Sequence, residues 1–252
     1  MLQEECVKAA PQDQLRLLDV AALDTRVTQL DHKAKTLPER ARLAELNAAL
    51  PTAADAAALL GAQLADLERE IARIEAEIEQ VRTRVSKDQA LRDGGSATAQ
   101  VLESVQHELE TLARRQGELE EAELVVLEQA EEISSKRSAA LAAEAEIATA
   151  RDEVQALLNA AVADINATKS TLVDERAQLV SGLPSDLVTL YDKVRADVGG
   201  VGAALLQHRR CQGCQMELTP TEINRLRTAD PDEVQRCEEC RRILVRTSES
   251  GL

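Results

Sequence analysis

The fold is decided by residues 64–85, which read LADLEREIARIEAEIEQVRTRV. Apolar residues recur in this stretch at alternating steps of three and four, the spacing that lines them along one side of an α-helix. The alternation extends back to Leu43, so that one apolar seam covers six heptads from Leu43 to Val85. A seam of this regularity is typical of a coiled coil. Pro51 falls inside it without shifting the phase and predicts a kink or one lost hydrogen bond, not a domain boundary.

A second seam of the same kind runs from Leu102 to Leu179, with polar residues at some of its positions. Between the two seams stands Asp93-Gly94-Gly95-Ser96, and glycine just after a helix is a common stop signal. Two arms of about 80 residues joined by a short turn pack as antiparallel neighbours. The sequence therefore predicts an intramolecular helical hairpin over residues 1–182 with its turn near 93–97. Two separate parallel dimeric coils are the alternative.

This hairpin carries a predicted register. If the turn is centred near Gly95, the numbers of facing residues should add up to about 190. That register places Ile71 against Leu119 and Ala53 against Arg137. Upstream, the apolar phase slips at Leu37-Pro38-Glu39-Arg40. Because proline is tolerated in the first turn of a helix but breaks its interior, one helix should end near Leu37 and another begin at Pro38.

Two Cys-x-x-Cys pairs stand near the C-terminus, Cys211 with Cys214 and Cys237 with Cys240. Four thiolates in two such pairs supply the ligands of a tetrahedral zinc site. A disulfide framework would need an oxidising compartment. An iron–sulfur cluster usually has its cysteines in a tighter run, and a redox motif would need only one Cys-x-x-Cys pair. The spacing predicts one structural Zn²⁺. Because four cysteine ligands leave no open coordination position, a catalytic role for the metal is not expected.

Short elements are predicted around the cysteines. Thr219-Pro220-Thr221-Glu222 has the form of a capping box with proline at the first helical position, so a helix should run to about Arg227. Before the cysteines, residues 183–204 are predicted to hold a short amphipathic helix and a glycine-rich connector. A small zinc ribbon should then cover residues 205–247. Its predicted strand pieces are Leu205-Leu206, Met216-Glu217-Leu218, Val234-Gln235-Arg236 and Arg242-Ile243-Leu244-Val245.

Composition supports a mainly α-helical fold class, with a long antiparallel coiled-coil hairpin followed by a ribbon with short β-strands. The 252 residues include no Phe or Trp and one tyrosine, Tyr191, and the formal net charge is −15. The N-terminus is acidic and lacks an apolar run, so a signal peptide is not expected. No apolar stretch is expected to reach the ~20 residues that span a bilayer. The protein is therefore predicted to be cytoplasmic, and Cys6 to be a free thiol.

Five stretches spread along the chain carry a resemblance to a known family. They are Leu37-Pro38-Glu39-Arg40, Gln106-His107-Glu108-Leu109-Glu110, Arg114-Arg115-Gln116, Leu190-Tyr191 and Cys237-Glu-Glu-Cys240-Arg241-Arg242-Ile243-Leu244. The whole chain resembles a bacterial family of four-cysteine zinc-ribbon proteins that carry a long N-terminal helical hairpin, and it looks most like the actinobacterial members. The resemblance implies a hairpin rod with a ribbon at its base, and non-catalytic binding of proteins or nucleic acid. One departure is that Gln215 and Arg241 stand where many zinc knuckles have glycine.

Two groups of basic residues are candidate binding surfaces. Arginines near the cysteines suit phosphate groups, although they also offset the charge of a four-thiolate zinc site. Basic residues near the hairpin turn are candidate tip contacts, although a solvated coiled-coil surface also explains them. The candidate nucleic-acid-binding residues are Arg209, Arg210, Arg236, Arg241, Arg242 and Arg246. The candidate tip contacts are Arg82, Arg84, Lys87 and Arg92.

These features favour a non-catalytic adaptor that binds protein partners, with the rod spacing two binding ends. The alternative is a regulatory protein that binds RNA, or less readily DNA, through the arginine-rich ribbon. No nucleophile–base pair, phosphate loop or open metal site is recognisable, so the protein is not expected to be an enzyme. A membrane or a small-molecule substrate is not expected as a partner either.

Overall fold

The computed structural model describes residues 7–95 and 98–252, and the fold is mainly α-helical. It divides into two units, Ala41–Gln155 and Met1–Arg40 together with Ala156–Leu252. Cys6 and part of the predicted turn at 93–97 lie outside the described residues. The helices are α1 (Pro11–Lys35), α2 (Pro38–Asp93), α3 (Ala99–Ser181), α4 (Ser185–Val198) and α5 (Pro220–Thr228).

The break between the first two helices is where the sequence predicts it. Helix α1 ends at Lys35, and α2 begins at Pro38, whose missing N–H would have no partner in the first turn of a helix. Helix α2 then continues through Pro51 to Asp93, so this proline is not a boundary. Gly95 adopts a left-handed φ of 67° just beyond the helix, in accord with the predicted stop.

In the unit Ala41–Gln155, α2 and α3 are antiparallel, as predicted. Arg84 of α2 pairs with Glu108 of α3, and Glu77 of α2 pairs with Arg115 of α3. Residue numbers therefore fall along α2 where they rise along α3, as they do in antiparallel helices. An apolar cluster of Ile74, Ile78 and Leu119, with Val81 and Val126 against it, fills the interface. The seam read from the sequence is therefore the buried contact between these two helices.

The predicted register is wrong in detail. Near the turn, the ion pair of Arg84 with Glu108 exceeds the predicted sum of about 190 by only two. Farther along, Leu119 packs with Ile74 and Ile78 in place of Ile71. Arg137 lies beside Gly61 in place of Ala53, with its Nε 3.3 Å from where a Cβ on Gly61 would be.

A constant part of this shift, the same at every position along the two helices, has a geometric reason. Helical side chains lean toward the N-terminus of their own helix. In an antiparallel pair, the side chains of α2 therefore lean away from the turn and those of α3 lean toward it. Two side chains that contact each other therefore belong to residues whose numbers add up to more than twice the residue number at the centre of the turn. The predicted register treated side chains as perpendicular to the helix and so paired residues with numbers that were too low.

One helical stretch within Pro11–Asp93 is long and apolar enough, by length and composition, to cross a membrane. This differs from the expectation that no apolar stretch is long enough. Its most apolar window of 18 residues has a mean hydropathy of 1.2 and is 6% buried. Segment 48–65, rich in alanine and leucine, contains a single charged residue, Asp55. Core helices of soluble proteins satisfy the same measure of length and composition.

The other unit contains a four-stranded sheet in the order β2-β1-β4-β3. Strand β1 pairs with β4 in parallel and with β2 antiparallel, while β3 and β4 are antiparallel. The predicted strand at Met216–Leu218 is reduced to an isolated bridge between Arg210 and Glu217. The strands are β1 (Ala203–Gln207), β2 (Arg210–Cys211), β3 (Gln235–Arg236) and β4 (Ile243–Val245).

Both faces of this sheet are buried. Alternate side chains of each strand point to opposite faces, so neighbouring residues belong to different cores. Ala203, Ile243 and Val245 face an apolar core built with α1 and α4, which includes Leu17 and Leu187. The alternate residues face a second core that contains the cysteines. Its buried members are Ala204, Leu206, Cys211, Leu218, Leu226, Cys237 and Leu244.

The N-terminal residues join the ribbon, which the sequence did not reveal. The N–H of Ala9 donates to the carbonyl of Asp232 at 2.8 Å, and the N–H of Val234 donates to the carbonyl of Val7 at 3.0 Å. The amide of buried Gln14 donates to the carbonyl of Pro231 at 3.1 Å. The first ribbon strand thus begins at Ala203, and Val7, Ala9 and Gln14 contact the ribbon from outside the range 205–247 predicted for it.

Candidate metal centre and basic surfaces

The four cysteines of the two Cys-x-x-Cys pairs converge on one point. All four Sγ atoms lie within 4.8 Å of one another. The Sγ atoms of Cys211 and Cys240 are 3.7 Å apart, and those of Cys214 and Cys237 are 3.9 Å apart. A tetrahedral ion with Zn–S bonds of about 2.3 Å requires sulfur atoms about 3.8 Å apart. The site therefore fits one structural zinc ion with Cys211, Cys214, Cys237 and Cys240 as its ligands.

Two turns of the same construction hold these cysteines. The N–H of Gln215 donates to the carbonyl of Cys211 at 2.8 Å, and the N–H of Arg241 donates to the carbonyl of Cys237 at 2.9 Å. In each turn, the first cysteine's own N–H donates to the carbonyl five residues later. Gln215 and Arg241 have left-handed φ angles of 63° and 61°. Both occupy the position where many zinc knuckles have glycine, and the turn keeps its shape without it.

The first turn requires its glycine for space. A Cβ on Gly213 would lie 2.8 Å from Cδ of Arg242 and 2.9 Å from Cβ of Ala204. Arg242 itself spans the two turns, because its Nε donates to the carbonyl of Val201 at 3.0 Å and its terminal nitrogen to that of Gly213 at 3.3 Å. The guanidinium of Arg242 thus ties the second cysteine pair to the first.

Burial and hydrogen bonding act in opposite directions on the thiols. Burial raises the pKa of the Cys211 thiol above its usual range and raises the pKa of Cys237 to about 11. At Cys240 burial also acts upward, but hydrogen bonds from the main chain and side chain of Arg242 and from the neighbouring thiols outweigh it, so its pKa is lowered. A coordinated cation favours the deprotonated form of every thiol ligand. Deprotonation of Cys211 and Cys237 is therefore expected to accompany metal binding.

Most of the candidate nucleic-acid-binding arginines donate to main-chain carbonyls of the ribbon. Arg246 bonds the carbonyls of Leu226 and Ala229 at 3.0 Å each, and also those of Asp230, Pro231 and Glu233. Burial lowers its pKa, with the nearby acids acting against that effect. Arg209 donates to Gly251 at 2.8 Å, and Arg236 to the carbonyl of Arg241 at 2.9 Å. Arg210 and Arg241 have exposed side chains.

The tip candidates are mostly paired with acids. Arg82 pairs with Glu120 at 3.2 Å, Arg84 with Asp88 at 3.1 Å and Arg92 with Asp93 at 2.9 Å. Lys87 is exposed and has no ion pair within residues 7–95 and 98–252. A role of these side chains in binding stays a prediction.

A buried polar cluster went unnoticed in the sequence. Asp24 of α1 is completely buried and accepts a hydrogen bond from the hydroxyl of Tyr191 at 2.7 Å. Its carboxylate also pairs with Arg176 of α3 at 2.9 Å and Arg195 of α4 at 3.1 Å. The sequence signal was available, because Asp24 follows Leu23 on the apolar side of α1.

Position 202 must be glycine here, since a Cβ would lie 2.6 Å from the carbonyl oxygen of Tyr191.

Comparison with known proteins identifies both parts of the chain. Residues 20–199 match the model of the CT398-like coiled coil hairpin domain, and residues 210–244 match that of the C4-type zinc ribbon domain. The uncharacterised protein Rv2229c of Mycobacterium tuberculosis is 37% identical over 240 residues, which cover 95% of this chain and 98% of that protein. The uncharacterised protein ML1638 of Mycobacterium leprae is 26% identical over 85% of this chain and 92% of that protein.

Solved structures agree with the fold. A structure from Mycobacterium smegmatis has 38% identity and a TM-score of 0.84, covering 95% of this chain and all of that one. CT398 from Chlamydia trachomatis has 17% identity and a TM-score of 0.64, covering 92% of this chain and 97% of that one, and it supports the fold alone. The chain therefore belongs to the family that joins a CT398-like coiled coil hairpin domain to a C4-type zinc ribbon domain.

Proposed function

We propose that the protein is a non-catalytic adaptor that binds other proteins, with its long hairpin spacing two binding ends. The observation that carries this proposal is the apolar surface of the hairpin helices. Leu124 and Val125, which are adjacent on α3, are 61% and 50% exposed. A contiguous patch of exposed apolar side chains is typical of a surface that a partner covers. Both family models that match the chain describe structural modules.

A structural role for the metal supports the absence of catalysis in this proposal. Four cysteine ligands fill the coordination sphere of zinc, so no position remains for water or substrate. The reduced thiols that zinc requires favour a reducing compartment, and we therefore place the protein in the cytoplasm. We include neither a membrane nor a small-molecule substrate among its partners.

The experiment is affinity purification of the full chain from its native cells, with and without nuclease treatment. The adaptor proposal expects protein partners that co-purify in stoichiometric amounts and survive the nuclease. Loss of every partner after nuclease treatment would contradict it, and so would a chain that purifies alone.

RNA binding by the ribbon is the second candidate. The observation in its favour is the turn from His208 to Arg210, whose three side chains are exposed and whose first two residues have left-handed φ angles of 47° and 62°. Strained turns of this kind are concentrated at functional sites. Against it, Arg236, Arg242 and Arg246 are already hydrogen bonded to the ribbon's own main chain.

A matched pair of substitutions tests the RNA candidate. If the turn binds RNA through phosphate contacts, Arg210→Ala should weaken binding of the full chain to single-stranded RNA and reduce its salt dependence by about one charge. Arg227→Ala removes an exposed arginine from α5 and should leave binding unchanged. Equal losses from the two substitutions, or no measurable RNA binding at low salt, would exclude this candidate.

A further inference from the structure

One turn of α3 is apolar on almost every side. Val126 lies against the seam cluster of Ile74, Ile78 and Leu119. Its neighbours Leu124, Val125 and Leu127 are 61%, 50% and 42% exposed. Since successive residues of a helix are about 100° apart, Val125 and Leu127 lie on opposite flanks of the seam, and Leu124 points away from it. Within the described part of Ala41–Gln155, these three side chains are not part of the buried contact between α2 and α3.

A groove continues the Val125 flank. It lies between α2 and α3, has a volume of about 390 Å³ and has Leu67 and Ile133 among its lining residues. Gln129 and Glu132 also line it, and they follow Val125 at the spacing of one and two helical turns. We use the name Val125 groove for this cavity together with Leu124 and Val125.

The rim of the Val125 groove is acidic. Residues 118–132 contain seven glutamates and no lysine or arginine. Glu121 and Glu128, which lie about one turn on either side of Leu124 and Val125, have no ion pair among the residues that the structure describes. On α2, Arg69 and Arg73 pair with acids of their own helix, Asp66 for Arg69 and both Glu70 and Glu77 for Arg73. Glu132, which lines the groove, pairs with Lys136 of α3. The uncompensated negative charge of the rim is therefore that of Glu121 and Glu128.

We propose that the Val125 groove is the docking site for a basic amphipathic helix of a partner protein. A third helix laid along the Val125 flank of α3 would bury its apolar side on Leu67, Val125 and Ile133, with Leu124 at its outer edge. Its lysine or arginine residues would then meet the unpaired carboxylates of Glu121 and Glu128. The inference rests on the adaptor function proposed above and gives that adaptor a site and a class of partner.

Charge selects this occupant over the others. A second copy of the chain would bring the same acidic rim against itself, and like charges across an interface oppose association. The anionic headgroups of a membrane surface would be repelled in the same way. A basic helix satisfies both the apolar floor and the acidic rim.

The test measures binding of the full chain to a synthetic 18-residue peptide of leucine and lysine, with leucine on one helical face. Binding should weaken with added salt, and a peptide with glutamate in place of lysine should not bind. Leu124→Gln and Val125→Gln should each weaken binding about tenfold, because each removes apolar area that the peptide would bury. Glu121→Gln and Glu128→Gln should flatten the salt dependence.

Two matched controls locate the effect. Leu127→Gln changes the opposite flank of the same turn, and Leu157→Gln changes an exposed leucine with the same 61% exposure as Leu124. Both should bind the peptide as the natural protein does. Equal effects from all four substitutions, or no peptide binding, would overturn the inference. So would a dimer in sedimentation analysis that Leu124→Gln dissociates, because a second copy would then be the occupant.

Failure of the adaptor function can be distinguished from failure of the Val125 groove as its binding site. If partners that resist nuclease still co-purify with a Leu124→Gln, Val125→Gln double variant, the adaptor function stands and the Val125 groove is not its site. If the natural protein has no such partners, the adaptor function fails even where the peptide binds. Circular dichroism of each variant checks that the helices are intact.

Discussion

Asp24 is the residue on which the unit Met1–Arg40 with Ala156–Leu252 most depends for polar contacts. Its carboxylate has no exposure to solvent and receives Tyr191, Arg176 and Arg195 from two other helices. A buried charge of this kind contributes through its partners. Removing it would leave Arg176 with Asp192 as its remaining acid and would take from Arg195 its one ion pair among the described residues. The chain also provides a half-buried counterpart on the same helix, Asp31, which pairs with Lys169 of α3.

Replacing Asp24 with asparagine should lower the free energy of unfolding by about 3–5 kcal/mol, because two arginines would lose their buried counter-charge. The matched substitution Asp31→Asn should cost only about 0.2–1 kcal/mol, since its ion pair is partly solvated. Urea denaturation followed by circular dichroism measures both. Similar values for the two aspartates would show that burial of Asp24 adds nothing to its ion pairs.

Tyr191 gives a second prediction at this scale. Burial, and then the hydrogen bond to Asp24, raise the pKa of its hydroxyl above the usual value of about 10. A raised pKa in the folded state stabilises the fold below the unfolded pKa, and this stabilisation is lost as pH rises beyond it. Because Tyr191 is the only tyrosine, phenolate absorbance reports on it alone.

The native protein should therefore show little phenolate absorbance at pH 10–11, whereas the protein in urea should titrate with a midpoint of about 10. Unfolding at alkaline pH should bring the two curves together in a single cooperative step. A native titration curve that overlays the denatured one, with circular dichroism unchanged, would mean that the hydroxyl is open to solvent.

The metal ligands could be predicted from the sequence, and the partners of Asp24 could not. Cys-x-x-Cys spacing is a local pattern, and local geometry alone directs both thiols of a pair to one ion. The partners of Asp24 come from positions 176, 191 and 195, so only the packing of three helices creates the cluster. For the same reason, the arginines of the ribbon were identified as basic, while their main-chain acceptors remained unknown.

At the scale of elements, the two cysteine turns use an unfavourable backbone region. Gln215 and Arg241 adopt left-handed φ angles, which cost a residue with a Cβ about 1–2 kcal/mol. Glycine avoids that cost, although it loses more conformational entropy on folding. The fold of each turn is thus set by its hydrogen bonds and its metal rather than by local preference.

Arg241→Gly should therefore be neutral or stabilising by up to about 1 kcal/mol in the zinc-loaded protein. Glu239→Gly, at an exposed position of the same turn without a left-handed φ, should destabilise by about 0.5–1 kcal/mol. Thermal unfolding of the two variants beside the natural protein measures the difference. If Arg241→Gly proves the more damaging, the arginine side chain contributes more than its backbone costs.

The hairpin shows how far an element can be read from its pattern. The seam positions, the break before Pro38 and the glycine stop after Asp93 follow from residue spacing and backbone chemistry. The pairing of Arg137 with Gly61 depends on the lean of side chains along antiparallel helices, which a count of residues ignores. Sequence periodicity therefore determines which face is buried better than it determines which residues meet.

At the scale of the whole molecule, metal removal should affect one unit and spare the other. Zinc release should expose backbone amides in 203–245, because the cysteines form part of the core beneath the sheet. The helices of Ala41–Gln155 have their own apolar cluster and should keep their protection. Elemental analysis should find one zinc per chain before chelation.

Hydrogen exchange with and without chelator measures this response segment by segment. Cys6→Ser should leave the zinc content unchanged, whereas Cys211→Ser should lower it. Equal deprotection of 203–245 and 60–90 would show that the two units unfold together. Iron with sulfide in place of zinc would contradict the assignment of the metal.

The hydrogen bonds of Val7 and Ala9 to residues 232–234 have a consequence for biosynthesis. The chain leaves the ribosome N-terminus first, so Val7 and Ala9 must wait until residues 232–234 have been made before their partners exist. Contacts between such distant positions also form slowly. The hairpin helices, whose contacts near the turn are local, can pair while translation continues. The ribbon is thus the last part to mature, and newly made molecules pass through a stage in which their hairpin is folded and their thiols are still open to metal exchange and oxidation.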